Sequence, residues 1–347
     1  MDKLAIWLTS LLLLAVFHLV SLTTLPNEEW DEYKILFAKV YSSSIAERNA
    51  LYHYGHNKNL IDQHNAKYDM GQKTFKLAIN QFTDMNPTQL NEFFPVATPL
   101  ALSHATPAFP VMTGVSSYNP ADFGFSFLVE DQGTKCNSGW AYATAKAIEI
   151  MKANIMGDIV PYSLSAQVMI DCAGSSRSCI DQVPQTAFDY LTQYNQRLYN
   201  ERDYRNTMQL DRPNMCIFLA GAPFTKLAQY SVLNSDEELK NYVSARLPVV
   251  VEVNPTSFEF LHYSAGVFQP PSTTTNGSHF MTVIGYDADY WILQNSFGHM
   301  WGERGPSYQT VFETVTSRKC TPIQVHLKNH TFPFDYFFTE VVFIGKI

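Results

Sequence analysis

Five prolines, Pro95, Pro99, Pro107, Pro110 and Pro120, fall among small residues between Phe94 and Pro120. Proline fixes φ and has no backbone N–H, so a stretch this dense neither continues a helix nor donates to a sheet ladder. The segment reads as an extended linker rather than a packed element, and as the natural boundary of the chain. Ahead of it, residues 28–66 place Trp30, Tyr33, Ile35, Phe37 and Tyr41, then Leu51, Tyr54, Leu60 and Ile61, at helical spacing. Two amphipathic helices are predicted there. Behind it, Trp140 to Met156 is the longest helical pattern, with Ala141, Ala145, Ile148, Ile150 and Met151 for a buried side and a Gly- and Asn-containing turn just before it. Pro248 to Val253, Phe280 to Gly285 and Tyr290 to Leu293 are β-branched or aromatic runs that read as strands. A helical half followed by a strand-rich half predicts an α+β domain of two lobes.

Composition narrows the function classes. With 46% hydrophobic and 16% charged residues over 347 positions, the chain has material for a large core and is not a disordered polymer. Its net charge of -8 is spread without an acidic or basic block, which excludes the clustered Lys and Arg of a nucleic-acid footprint. The apolar run from Leu4 to Leu22 follows Met1-Asp2-Lys3 and ends among Ser21, Thr23 and Thr24, so residues 1–22 read as a signal peptide. An uncleaved anchor is the alternative, because about 20 apolar residues span a bilayer. Thr9, Ser10 and His18 interrupt the run, and Asp2 precedes its single lysine, both against an anchor. Entry into the secretory pathway would put the five cysteines where disulfides persist, and their odd number leaves one over. Asn276 and Asn329 head glycosylation sequons; proline in Asn254-Pro255-Thr256 disqualifies a third.

Motifs appear in a fixed order along the chain. The segment ahead of the linker carries Tyr54, Asn57, Ile61 and Asn65, then Asn80-Gln81-Phe82-Thr83-Asp84. Asp131-Gln132-Gly133, Cys136-Asn137-Ser138-Gly139-Trp140-Ala141, Leu164-Ser165-Ala166-Gln167 and Asp171-Cys172 follow. Cys179, Glu201 with Tyr204, Cys216, Phe260 with Tyr263-Ser264-Ala265-Gly266, His279, Asn295-Ser296-Phe297-Gly298 and Trp301-Gly302-Glu303 complete the series. From about Trp30 to Cys320 the chain resembles the papain family of cysteine peptidases, in its cathepsin L-like branch. The resemblance implies a two-lobed α+β fold, a helical lobe plus a β-barrel-like lobe, preceded by a helical inhibitory propeptide. Its divisions are 1–22 signal peptide, 27–93 pro-region, 94–117 linker, 118–330 peptidase domain and 331–347 C-terminal extension. The extension's aromatic stretch, Phe332 to Phe338, is too short to span a membrane.

The family's chemistry is attack by a thiolate held at a helix N-terminus and paired with an imidazolium. The resemblance puts Gly139 at the nucleophile position, where no side chain can attack. It makes His279 the general base and acid, Asn295 the residue that orients it, and Gln132 the oxyanion donor. The alternative for all three is a packing role that fastens the lobes. Two further departures point the same way. Asp181 and Gln182 stand, after Ile180, where the family carries glycines that let substrate backbone approach, and Phe297 replaces a shielding tryptophan. Lys135 is an added residue between Gln132 and the helix. Ser138 adjoins position 139 but is turned from it by about 100° at a helix start. By the family pattern Cys136 pairs with Cys179 and Cys172 with Cys216; Cys320 stands at half of the family's third bridge, whose other half is absent because Phe268 to Ser278 holds no cysteine, so it is expected to stay unpaired. The expectation is therefore an inactive peptidase homologue, secreted or lysosomal, with its own pro-region and a peptide or protein ligand in the cleft as partners. It needs no cofactor or metal and has no stable membrane association after signal cleavage. The competing expectation is a cysteine-type endopeptidase of weak or unconventional catalysis.

Overall fold

The computed structural model describes residues 28–97, 116–157, 159, 161–173, 182–193, 196–205, 216–227, 230–233, 236–271, 277–287, 289–303, 310–313, 323–326, 336–337 and 340–346. The calls on residues 1–22, Cys179, Asp181, Asn276, Cys320 and Asn329 lie outside them. The chain forms two compact units, one of Met1–Asn59 with Thr83–Met85, the other of Leu60–Phe82 with Asn86–Ile347.

In the first unit, helix α1 (28–36) precedes the opening turns of α2 (Ser44–Asp69), as the two apolar stripes predict. Trp30, Tyr33 and Tyr54 form its buried aromatic centre, with Trp30 and Tyr33 stacked at 5.5 Å. The carboxylate of Asp84 accepts from the hydroxyls of Tyr33 and Tyr41, each at 2.8 Å, and from Lys39 Nζ at 2.6 Å. Burial, reinforced by the charge of Asp84, pushes the Tyr33 phenol well above its usual range.

The second unit contains the rest of α2, then strand β1 (Phe75–Leu77) and helix α3 (Pro87–Phe93). Helix α3 starts where Asn86 and Gln89 form a reciprocal capping box and Pro87 occupies the first turn. Beyond the proline-rich stretch come α4 (Gly139–Met156), α5 (Ala166–Cys172), α6 (Pro184–Gln193), β2 (Leu198–Tyr199), β3 (Phe224–Lys226), β4 (Tyr230–Val232) and α7 (Asp236–Ser244). They are followed by β5 (Val249–Val253), α8 (Phe258–Leu261), β6 (Tyr263–Phe268), β7 (His279–Tyr286), β8 (Tyr290–Gln294), β9 (Thr310–Glu313), β10 (Ile323–His326), β11 (Tyr336–Phe337) and β12 (Glu340–Lys346). The three strand-like runs of the sequence correspond to β5, β7 and β8. Every residue of β7 is buried, which explains its near-continuous apolar run.

Nine strands form one sheet in the order β1-β6-β9-β8-β7-β5-β12-β10-β4, and β11, β3 and β2 form a second. Strand β1, from the pro-region, is an edge strand of the large sheet, paired antiparallel with β6. The approach is close at Gly266, whose φ is 92° and where a Cβ would lie 2.4 Å from the Thr74 carbonyl oxygen, so only glycine fits.

The extended-linker reading fails for its first residues. Phe94 is fully buried, Ser278 donates its backbone N–H to the Pro95 carbonyl at 3.2 Å, and Ala97 N–H reaches Ser278 Oγ at 2.9 Å. Residues 94–97 form no helix or strand, as proline density predicts, but the aromatic at the boundary finds a core.

Cys172 and Cys216 form the expected disulfide, closing 44 residues. Cys136 is disulfide-bonded as well, and Cys179, its expected partner, lies outside the described residues. Cys172→Ser should lower unfolding stability by about 2–4 kcal/mol by freeing the unfolded chain, measured by denaturant unfolding with midpoint and slope fitted for each protein, the slope rising as the unfolded chain expands. An unchanged midpoint would show that the bridge constrains nothing that the packing does not.

Candidate active site

Two segments far apart in sequence are zipped together around Gly139. Gln132 donates its backbone N–H to the Ser296 carbonyl at 2.9 Å, and Gly298 N–H donates to the Glu130 carbonyl at 3.0 Å. This bridge places Gln132 beside Asn295, Ser296 and Phe297. Helix α4 begins at Gly139, so its unpaired N–H groups and positive dipole end face the same place.

His279, the first residue of β7, has Nε2 2.7 Å from Asn295 Oδ1. The same oxygen accepts from Ser296 N–H at 2.8 Å, so Nε2 is the donor and Nδ1 carries the lone pair. Nδ1 is turned toward Gly139: a Cβ built on that glycine would lie 2.6 Å from Nδ1, 2.7 Å from Cε1 and 3.3 Å from Gln132 Oε1. Such distances are far inside van der Waals contact. The ring itself is held, stacked on Phe297 at 4.4 Å and met edge-on by Phe94 at 5.9 Å. Burial pushes the imidazole down to about pKa 4 against the opposing effect of its bond to Asn295. It is therefore neutral near pH 7, whereas a thiolate–imidazolium pair needs it charged.

Gln132 is fully buried, its Oε1 accepts from the Ser296 hydroxyl at 2.7 Å, and its Nε2 has no hydrogen-bond partner. A free amide N–H there can donate to a developing negative oxygen. Ser138 directs its hydroxyl to the Cys136 carbonyl at 3.4 Å, at the limit of a hydrogen bond. Phe297 is 1% exposed and packs between His279, Phe82 and Trp301, so it shields the pair rather than lining an open surface. Gln182 is half-buried just ahead of α6.

The structure thus brings Gly139, His279, Asn295, Gln132 and Phe297 together. Sequence reasoning missed Ser296, which fixes both Gln132 and Asn295, and Phe94, which covers the imidazole. Adjacency to Asn295 was a usable signal for the first; nothing in the pattern marked the second. No group of three His, Cys, Asp or Glu side chains among the described residues is placed to hold a metal ion. No helix among them is long and apolar enough to cross a membrane.

The family model for papain family cysteine protease matches residues 126–323, and that for the cathepsin propeptide inhibitor domain (I29) matches residues 30–90. A cathepsin L-like peptidase of Aedes aegypti is 30% identical over 84% of this chain and 90% of its own length. Cathepsin L1 of Drosophila melanogaster is 29% identical over 87% of this chain and 85% of its own. Among solved structures, digestive procathepsin L 3 of Tenebrio molitor larval midgut superposes with a TM-score of 0.69 at 28% identity, covering 84% of this chain and 94% of that one. The mixed helix and sheet described above are those of the two-lobed papain-like procathepsins, and the chain belongs to the papain family of cysteine proteases, in a form that carries the cathepsin propeptide inhibitor domain ahead of the protease domain.

Proposed function

We propose that this chain is a catalytically inactive cathepsin L-like homologue that acts by binding or as structure, with Gly139 at the position of the family nucleophile. One observation carries the reading: the imidazole of His279 stands where a side chain on residue 139 would begin, 2.6 Å from the ideal Cβ. Covalent catalysis has no attacking atom there, and what polarisation by Gln132 and binding leave is smaller by several orders of magnitude. Gln132, His279 and Asn295 then serve as hydrogen-bonded packing between the segments they join. By the resemblance, Asp181 and Gln182 stand where the family's glycines let a peptide backbone approach. The signal at residues 1–22 supports a secreted or lysosomal destination, with glycosylation at Asn276 and Asn329 and with Cys320 unpaired. A peptide or protein in the cleft and the chain's own pro-region are the partners this reading allows.

The second reading, an endopeptidase of weak or unconventional catalysis, is favoured by the retained His279–Asn295 bond and the free amide of Gln132. Epoxide or vinyl-sulfone probes that need a cleft thiolate distinguish the two. No labelling is expected, before or after removal of the pro-region. Stoichiometric labelling that disappears in His279→Ala would establish the second reading.

A further inference from the structure

Helix α4 carries three charged residues, Lys146, Glu149 and Lys152, and the first two lie on its buried side. Lys146 and Glu149 are 4% and 1% exposed, joined Nζ to Oε1 at 2.6 Å. Lys146 Nζ also donates to the Leu128 carbonyl at 2.9 Å, and the other oxygen of Glu149 accepts from Leu164 N–H at 3.3 Å. Glu130, from the segment that zips onto Gly298, brings a second carboxylate to the same lysine. Two carboxylates against one ammonium leave one negative charge over, with Glu149 buried and Glu130 half-buried but its Oε1 covered.

A small cavity adjoins the cluster, lined by Glu130, Tyr142, Lys146, Thr282, Gln294 and Asn295 among others. Three of these residues carry a buried polar atom with no hydrogen-bond partner, the acceptors Glu130 Oε1 and Gln294 Oε1 and the donor Asn295 Nδ2. Gln294 donates its amide to the Leu128 carbonyl at 3.3 Å, which fixes the side on which its oxygen lies. Two such acceptors against one such donor, beside one negative charge in excess, leave a place for a proton.

We propose that Glu130, Lys146 and Glu149 form a buried proton-binding site between α4 and the strand that ends at Gln294, and that the fold is more stable with the proton bound, in mild acid, than without it. Burial raises both carboxyls, Glu149 to about 7, against the attraction of Lys146. The native chain then keeps a proton that the unfolded chain, with an ordinary carboxyl near 4.5, has released. Stability falls as pH rises through that window. The proton belongs to the pair rather than to either residue.

The groups that face the cluster are Tyr142 from α4, Ser163 and Leu164 from the segment ahead of α5, Phe280 and Thr282 from β7, and Gln294, Asn295 and Ser296 at the end of β8. Among these described residues, none but the three titrates between acid and neutral pH. His279, beyond Asn295, and His262 act with the opposite sign: burial lowers each to about 4, so their contribution is lost as pH falls. A variant comparison cancels them. The site is independent of whether the chain cleaves peptides.

The test is thermal unfolding of the full chain and of Glu149→Gln, which mimics the protonated form, from about pH 5 to about pH 7.5. The two should melt together in acid, and the variant should melt several degrees higher at neutral pH. A gap that does not change with pH overturns the proposal. Glu130→Gln gives the same comparison should the first variant not fold. On the wild-type chain with 13C-labelled glutamate, one side-chain carboxyl should titrate near neutral pH; if every glutamate titrates in the ordinary acid range, the site does not exist.

Discussion

Gly139→Cys is expected to give a protein less stable than the wild type and still without peptidase turnover. The new Cβ begins 2.6 Å from His279 Nδ1, so the imidazole must move. It cannot swing freely, because Phe297 stacks on one face, Phe94 meets its edge and Asn295 holds Nε2. Overpacking of this kind costs about 1–3 kcal/mol. Replacing glycine in a helix returns at most about 1 kcal/mol, and less in the first turn, so the net sign is destabilising. Gly139→Ala separates sterics from chemistry: it should lose the same stability without any thiol. The cysteine variant should react with small alkylating agents, since the thiol sits at the end of α4. Turnover needs more, because an error of about 1 Å in placing a substrate can cost on the order of a hundredfold. On the proposed reading, Asp181, Gln182 and Lys135 bear on that placement. A further variant that restores glycine at 181 and 182 and deletes Lys135 is the comparison. If Gly139→Cys alone melts at the wild-type temperature and cleaves peptides like its relatives, the site was never closed and the neighbouring departures were neutral.

Long periodic segments were readable from sequence because their signal is redundant. Helix α4 and strands β5, β7 and β8 each repeat one pattern over enough residues to outweigh local exceptions. The convergence of Gln132, His279 and Asn295 was readable only through motif order, since residues about 16 and 160 positions apart share no local signal; the resemblance supplied it. Strand β1 was missed because three residues contain too little alternation, and its pairing is decided by the glycine opposite, Gly266. The buried cluster was missed for a different reason. Charges on a helix are ordinarily solvated, and the clue was their company: Lys146 and Glu149, three apart, are flanked by Ala145, Ala147, Ile148 and Ile150. That position 139 holds a glycine was visible at once, but that the imidazole stands against it was not. A glycine in a sequence says nothing about which side chain fills the space beside it.

Phe94→Ala is expected to cost about 3–5 kcal/mol of stability, the range for truncating a buried phenylalanine, and to open the imidazole to solvent. Phe94 is fully buried against Phe93 at 4.7 Å, Phe297 and His279 each at 5.9 Å and Phe82 at 6.1 Å. Four aromatic partners lose a neighbour together, and no side chain nearby is flexible enough to refill the space. Burial is also the larger influence that holds His279 down to about 4. With the ring removed, the imidazole should titrate closer to its ordinary 6.5, read by NMR of the ring protons or by its rate of modification with diethylpyrocarbonate. The sign of the pH dependence follows. In the wild type the unfolded chain takes up a proton at His279 below about 6.5 that the native chain refuses until about 4, so stability is lost as pH falls through that interval. In the variant the native imidazole accepts the proton sooner, and that part of the acid sensitivity should shrink. Phe94→Leu, which keeps the site apolar and nearly filled, should lose less stability and leave His279 unreactive. If Phe94→Ala unfolds at the wild-type denaturant concentration and His279 still resists modification, Phe94 is not the cover of the imidazole, and the remaining aromatics, Phe297 above all, keep it dry on their own.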